Sequence, residues 1–419
     1  MTEHQDLENI RRARAEIMRI SDPEDTATTA LIALCGPLLT ADFLTGRREL
    51  TASYLQEELA QAGREDPQLF ASLRGLVQAR MERWQARRGG IRVEQDMTWA
   101  KACGAWLCVP EDPDWPVALN DLAERMPFGL WGRGDRALLK HLNLATSQAI
   151  VGSRDVSSYG NSATSHLTGD SAAAGKTIVS GGAFGVDALA HRVALSTGAS
   201  ELPTVALMAG GLDRLYPRQN ASLLENIIDR GLILGEVPLG QNPTRYRFLQ
   251  RNRLIAALAY CTVVVEARWR SGALNTAHHA LELGRPVYAV PGPIFSPSSE
   301  GCHRLIRDGL AQLITDATHL ERGRLNLEAP EQASLLSESV DARKALIDSL
   351  TEIQGRVWDV LPVSSYRPVD AIGAESGIPA RSVMLALTQM ERLGLAQSQG
   401  NGWRKKFEQG HKHLGAKMG

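Results

Sequence analysis

Six short, uninterrupted apolar runs punctuate residues 146–294: Ala149-Ile150-Val151, Thr177-Ile178-Val179, Thr204-Val205-Ala206-Leu207, Leu232-Ile233-Leu234, Val263-Val264-Val265 and Val287-Tyr288-Ala289-Val290. Each opens into a glycine-bearing turn and then a stretch with helical spacing. Continuous apolar runs predict strands buried on both faces, and their alternation with helices predicts a doubly wound, mostly parallel α/β sheet. Loops at the carboxyl ends of such strands converge on one crevice. Two further strands, Trp106-Leu107-Cys108-Val109 and Gly129-Leu130-Trp131-Gly132, precede the series, with a turn at Asp112-Pro113-Asp114-Trp115-Pro116.

The flanks are patterned differently. Residues 1–104 form a helical amino-terminal region, with apolar positions spaced at three and four in 27–35 and 69–88. Its arginine-rich end, 80–92, reads as a solvated helix face running into Gly89-Gly90. The sheet domain occupies 105–320, and a linker rich in Glu, Ser, Ala and Leu occupies 321–343. Residues 344–406 predict helices at 344–360, 369–375 and 379–393 and then a ribbon at 395–405. Gly394 ends the third helix and Gly400-Asn401-Gly402 marks the hairpin tip, the order of a winged helix-turn-helix. A basic tail, 407–419, follows.

Composition narrows the classes. The chain has 419 residues, long enough for two or three domains. With 46 Lys and Arg against 47 Asp and Glu, any nucleic-acid binding must rest on local patches rather than bulk attraction. The five cysteines form no CxxC pair, which argues against a disulfide framework or a structural zinc site. The charged start of the chain has no apolar core of a signal peptide, and nowhere do eighteen apolar residues run together. The expectation is a reduced, cytoplasmic protein with no membrane segment, metal or cofactor.

Candidate chemistry lies in the turns. Gly152-Ser153-Arg154 ends the first strand, where glycine admits a phosphate and arginine supplies forked donors; alone the motif is weak, and an internal salt bridge is the default. Ser180-Gly181-Gly182-Ala183-Phe184-Gly185-Val186-Asp187 is stronger, because such a strand-to-helix turn aims amide hydrogens and a positive helix end at one point. It has neither GxGxxG nor P-loop spacing, and Asp187 reads equally as a cap or a ligand contact. His191 reads as a packed histidine, and Asn220 as the cap of the helix that starts at Ala221. Arg218 is freer to face a ligand. Phe248 beside Arg251 and Arg253 suits an unpaired strand, the ring stacking on a base while guanidinium groups follow phosphates. The alternative is that Phe248 plugs the core, and at least one of those arginines is expected to pair with Glu236 or Glu266. Ser271 and Gly272 are placed to cradle a phosphate, whereas His278, His279 and Glu282 sit on a helix body and make no metal site by spacing alone.

Read together, AIVGSR, IVSGGAFGVDALAH, ALMAGGLDRLYPRQN, GEVPLGQNPTRYRFLQRNRLIAALA, VVVEARWRSGALNTAHHALELGRPVYAVPG and GCHRLIRDG closely resemble the DNA-processing protein A family, also called DprA or Smf. The resemblance covers roughly 105–320. It implies an extended Rossmann fold that binds single-stranded DNA as a homodimer and helps load the recombinase RecA in natural transformation, with no catalytic turnover and no cofactor. By position it implies DNA-facing Arg154, Ser180, Gly181, Arg218, Phe248, Arg251 and Arg253. Leu249 stands where the family commonly has proline.

Two rival readings differ in class. A phosphoribohydrolase-like enzyme acting on nucleoside monophosphates would need a PGGxGTxxE loop, and the segment that starts at Ser271 lacks that glutamate. A regulator reading duplex DNA would use the third carboxyl-terminal helix, which offers only Arg381, Ser382 and Gln389 for base readout.

Overall fold

The computed structural model describes residues 2–64, 66–321, 347, 349–363 and 365–406. The predicted linker beyond 321, the first residues of the helix expected at 344–360, and the tail 407–419 lie outside them. The chain divides into two compact units, one of residues 1–77 and 91–333, the other of 78–90 and 334–419.

In the first unit the six apolar runs become six strands: β3 (Ser147–Val151), β4 (Thr177–Ser180), β5 (Thr204–Met208), β6 (Leu232–Gly235), β7 (Cys261–Val264) and β8 (Val287–Ala289). Every residue in them is buried, as strands covered on both faces require. The predicted early pair forms β1 (Ala105–Cys108) and β2 (Leu130–Arg133), and a two-residue strand, β9 (Gln312–Leu313), closes the far edge. The sheet order is β1-β2-β6-β5-β4-β3-β7-β8-β9. β3 to β9 run parallel, while β1 and β2 join antiparallel beside β6. The order therefore reverses at β3, between β4 and β7, which is where open α/β sheets form their ligand crevice.

Helices follow these strands in turn: α6 (Ser158–Ala173), α7 (Val186–Thr197), α8 (Ala221–Arg230), α9 (Arg245–Ala257), α10 (Gly272–Glu282) and α11 (Glu300–Arg307). α9, α10 and α11 contribute Leu254, Ala277 and Leu305 to one apolar layer, and α6 and α7 contribute Leu167, Ala190 and Ala194 to another.

The amino-terminal region is helical as expected, with α1 (Thr2–Ile20), α2 (Thr26–Thr45), α3 (Ala52–Gln61), α4 (Pro67–Arg87) and α5 (Val93–Ala102). It is not a separate body ending at 104. Arg14 bonds Glu111 at 2.6 Å and the Phe128 carbonyl at 3.2 Å, and Arg19 bonds Asp96 and the Leu239 carbonyl, each at 2.6 Å. The side-chain amide of Gln250, on α9, donates to the Pro23 carbonyl at 2.8 Å. Among the described residues α2 alone is long and apolar enough to cross a membrane. Gly36, at φ 75°, and Pro37 interrupt it at mid-length, and it buries Ala27, Leu31, Phe43 and Leu44.

The second unit corrects one expectation. The arginine-rich end of α4 is no solvated face: Trp84 is 1% exposed, Arg83 lies 4.0 Å from Glu352, and Arg87 donates to the Ser376 carbonyl at 3.2 Å. The remaining elements are α12 (Glu352–Val360), β10 (Arg367–Pro368), α13 (Val369–Ser376), α14 (Ala380–Arg392), β11 (Ala396–Gln399) and β12 (Gly402–Lys405). β12 lies between β10 and β11, antiparallel to both, and Val357, Ile372, Val383, Leu387 and Trp403 form the core.

Candidate functional site

A crevice of about 520 Å3, open to solvent, lies beyond the carboxyl ends of β3, β4 and β5. Its floor is the turn Gly181-Gly182-Ala183-Phe184 between β4 and α7. Its walls are the loop 208–217 after β5 and Pro243, and its rim carries Arg154, Arg214, Tyr216 and Phe248.

The floor is fixed from beneath. Asn220 donates its side-chain amide to the Gly182 and Ala183 carbonyls at 3.2 and 3.1 Å, and makes no side-chain cap on α8. Its expected capping role is thereby corrected: the amide is used to tie down the neighbouring turn. Asp187, in the first turn of α7, accepts from the Ala183 N–H at 3.3 Å. That amide is therefore not aimed at the crevice. Gly181 is a glycine of necessity, since a Cβ there would stand 2.6 Å from both the Arg251 guanidinium and the Asp187 carboxylate.

The rim is aromatic and cationic. Thr244 caps α9 by accepting from the Arg247 N–H at 3.2 Å, which starts the helix so that Phe248 falls in its first turns. The exposed Arg154 guanidinium lies 4.9 Å from the Phe248 ring centroid, and the Tyr216 ring lies 6.1 Å from it at 52°. Tyr216 is 47% exposed. Ring faces beside a guanidinium offer both stacking and cation–π contact to a planar anionic ligand.

The other expected residues take other places. Arg251 is 4% exposed, so it is corrected from a surface cation to a buried brace: it donates to the Gly181 carbonyl at 2.7 Å and to the Leu207 carbonyl. Its guanidinium still lies 5.8 Å from the Phe248 ring. Burial pulls Arg251 down to about 10, against the opposing pull of Asp187, and burial raises Asp187 against the pull of Arg251. Arg253 is fully buried and does not face a ligand, because it forms a two-pronged ion pair with Glu236 at 2.6 and 2.7 Å and donates to the Arg125 carbonyl at 2.9 Å. The expected pairing of one arginine with Glu236 thus falls on Arg253. Ser180 is corrected too: its hydroxyl turns inward to the Ile150 carbonyl at 2.6 Å. Arg218 is exposed in the 3-10 turn Arg218–Asn220, outside the residues that line the crevice. Ser271 caps α10 by accepting from the Ala273 N–H at 3.3 Å, and the Gly272 carbonyl accepts from Asn252 at 3.2 Å. Neither lines the crevice.

Nearby titratable groups are committed elsewhere. Glu266 accepts from the Ser157 amide and hydroxyl at 3.0 and 2.6 Å and from Ser298 at 3.1 Å. His191 is buried against the Thr204 hydroxyl at 2.7 Å, and burial drives it down to about 3. His279 and Glu282 pair on α10 at 3.1 Å. Cys108, Asp112 and Asp114 cluster among the described residues, but Arg11 and Arg136 hold both carboxylates. The sequence reading missed Arg214, Tyr216 and Phe184 on the rim and floor. A signal for them existed: polar, glycine-rich turns after strands do not need large exposed rings.

Strand order and helix placement define a Rossmann-type α/β protein with an open crevice at the switch point of its sheet. Residues 106–322 match the family model for DNA recombination-mediator protein A. The chain belongs to that family, whose members carry the names DprA and Smf. A relative in Mycobacterium tuberculosis, provisionally named DNA processing protein DprA, is 35% identical over 403 residues, 94% of each chain. Protein Smf of Escherichia coli is 32% identical over 308 residues, 72% of this chain and 78% of its own. The solved structure of DNA processing protein A from Streptococcus pneumoniae covers 75% of this chain and 97% of its own, with a TM-score of 0.55 at 27% identity.

Proposed function

We propose that this chain binds single-stranded DNA in the switch-point crevice and passes it to RecA, acting in the cytoplasm as a homodimer and without catalytic turnover. One observation carries the reading: Arg154, Phe248 and Tyr216 meet at the rim, so that a base can stack on a ring while a phosphate takes the guanidinium. A duplex keeps its bases stacked on one another, so this rim favours an unpaired strand. Family membership supports a role in DNA recombination. The absence of turnover is supported by the carboxylates beside the crevice, since Asp187 braces the floor and Glu266 holds loops together. The second unit, with α12, α13 and α14 followed by the β11–β12 hairpin, is read as a winged helix.

Gel shifts of the full chain with poly-dT, in the presence of duplex and mononucleotide competitors and with or without RecA, test the reading. The expected result is binding that duplex and mononucleotide displace poorly, with RecA filaments forming faster on the bound strand. Preference for duplex overturns it. So does steady release of free base from nucleoside monophosphates.

A further inference from the structure

We propose that the bound strand continues past the crevice along the carboxyl edge of the sheet, over Arg268 and Trp269 after β7, to a second subsite at Phe295 after β8. The inference rests on the single-strand reading above and deepens it by naming where the strand goes.

Neighbouring loops along this edge carry one large ring each. In spatial order they are Tyr216 after β5, Phe184 after β4, Tyr159 at the start of α6 after β3, Trp269 after β7 and Phe295 after β8. Tyr216, Phe184 and Tyr159 are 47%, 39% and 43% exposed, and Phe295 reaches 93% beside Ile294 at 77%. A single exposed apolar residue is ordinary, but four exposed rings and the half-buried Trp269, one on each of five adjacent loops at one edge, are what a stacking path needs. Four inter-strand gaps from β5 to β8 span about 19 Å, enough for several nucleotides of an extended strand.

Direct contacts join the crevice to this second stretch. Arg154 touches the Phe248 ring, its neighbour Asp155 pairs with Arg268 at 3.1 Å, and the Arg304 guanidinium lies 4.7 Å from the Trp269 ring centroid. The β8 loop lies against the β7 loop, because the Ala267 N–H donates to the Ser298 carbonyl at 2.8 Å. The Tyr159 hydroxyl donates to the Pro291 carbonyl, which ties α6 to the same loop. Side chains of Arg268 and Asp155 are 63% and 87% exposed, so the pair is weak and a phosphate can take the guanidinium.

Fluorescence anisotropy with oligo-dT of about four and about fifteen nucleotides tests the path on the full chain. F295A and R268A are expected to bind the short oligonucleotide as the unchanged protein does and the long one about five-fold or more weakly. R268A should also lose about one unit of salt slope on the long strand. Both side chains are exposed, so melting temperatures should hold and loss of fold cannot imitate the result. If both variants match the unchanged protein at both lengths, the second subsite is wrong. Failure of the underlying reading looks different, because the unchanged protein then binds neither length.

Discussion

Arg154 and Arg253 carry the same group and meet opposite fates. The first projects over a ring at the crevice rim, and the second is sealed against Glu236 beneath α9. Arg154→Ala is expected to weaken single-strand binding for every sequence and to flatten the dependence of log affinity on log salt by about one unit, measured in a salt titration. Its unfolding curve should not move. Arg253→Ala leaves a buried carboxylate without its partner and should cost about 3–5 kcal/mol of stability, read by denaturant titration. His191 makes a pH prediction of definite sign. Its folded value lies near 3 against an ordinary 6.5, so the unfolded chain takes up a proton first as pH falls. The contribution is complete above about pH 6.5 and lost on the way down towards 3, at no more than about 1.4 kcal/mol per pH unit. Denaturant titrations at neutral pH and near pH 5 should differ accordingly, and His191→Gln should shrink that difference.

At the scale of elements, the turn between β4 and α7 is held by groups borrowed from elsewhere. Asn220→Ala removes the donor to two carbonyls and should cost about 1–2 kcal/mol, with faster hydrogen exchange at the Ala183 amide and unchanged exchange in β5. The same turn shows where sequence reading stops. Strands β3 to β8 were legible because each buries a continuous apolar run, which few other structures require. The two-residue β9 carries no such run, and nothing in the residues announced it. Asn220 sits where a cap belongs, and only the nearby carbonyls reveal its real use. α9 hides its arginines for a different reason. Gln250 to Ala257 are all buried, so the helix has no polar face whose period could separate Arg251 from a ligand-facing position. The rim positions of Arg154 and Phe248 have local signals in the sequence, since Arg154 follows the glycine turn that ends β3 and Phe248 lies one turn past the Thr244 cap of α9.

At the scale of the molecule, the near-neutral charge matters less than where cations are placed. A net charge of −1 gives no bulk attraction for DNA, so the proposed single-strand binding rests on exposed guanidinium groups such as Arg154 and Arg268 at the sheet edge. The amino-terminal helices are the larger surprise, because nothing in residues 1–104 spelled chemistry and yet they brace the sheet domain. A chain that begins at residue 105 should melt well below the full chain in a thermal scan, since it loses the partners of Glu111, Gln250 and the Leu239 carbonyl.

The bond from Gln250 to the Pro23 carbonyl sits two residues from Phe248 along α9. Grafting experiments therefore have a constraint. A hybrid that takes its first hundred residues from one relative and its sheet from another inherits a mismatched seat for the helix that presents the ring. On the proposed single-strand reading, only exchanges that move both pieces as a set should retain binding.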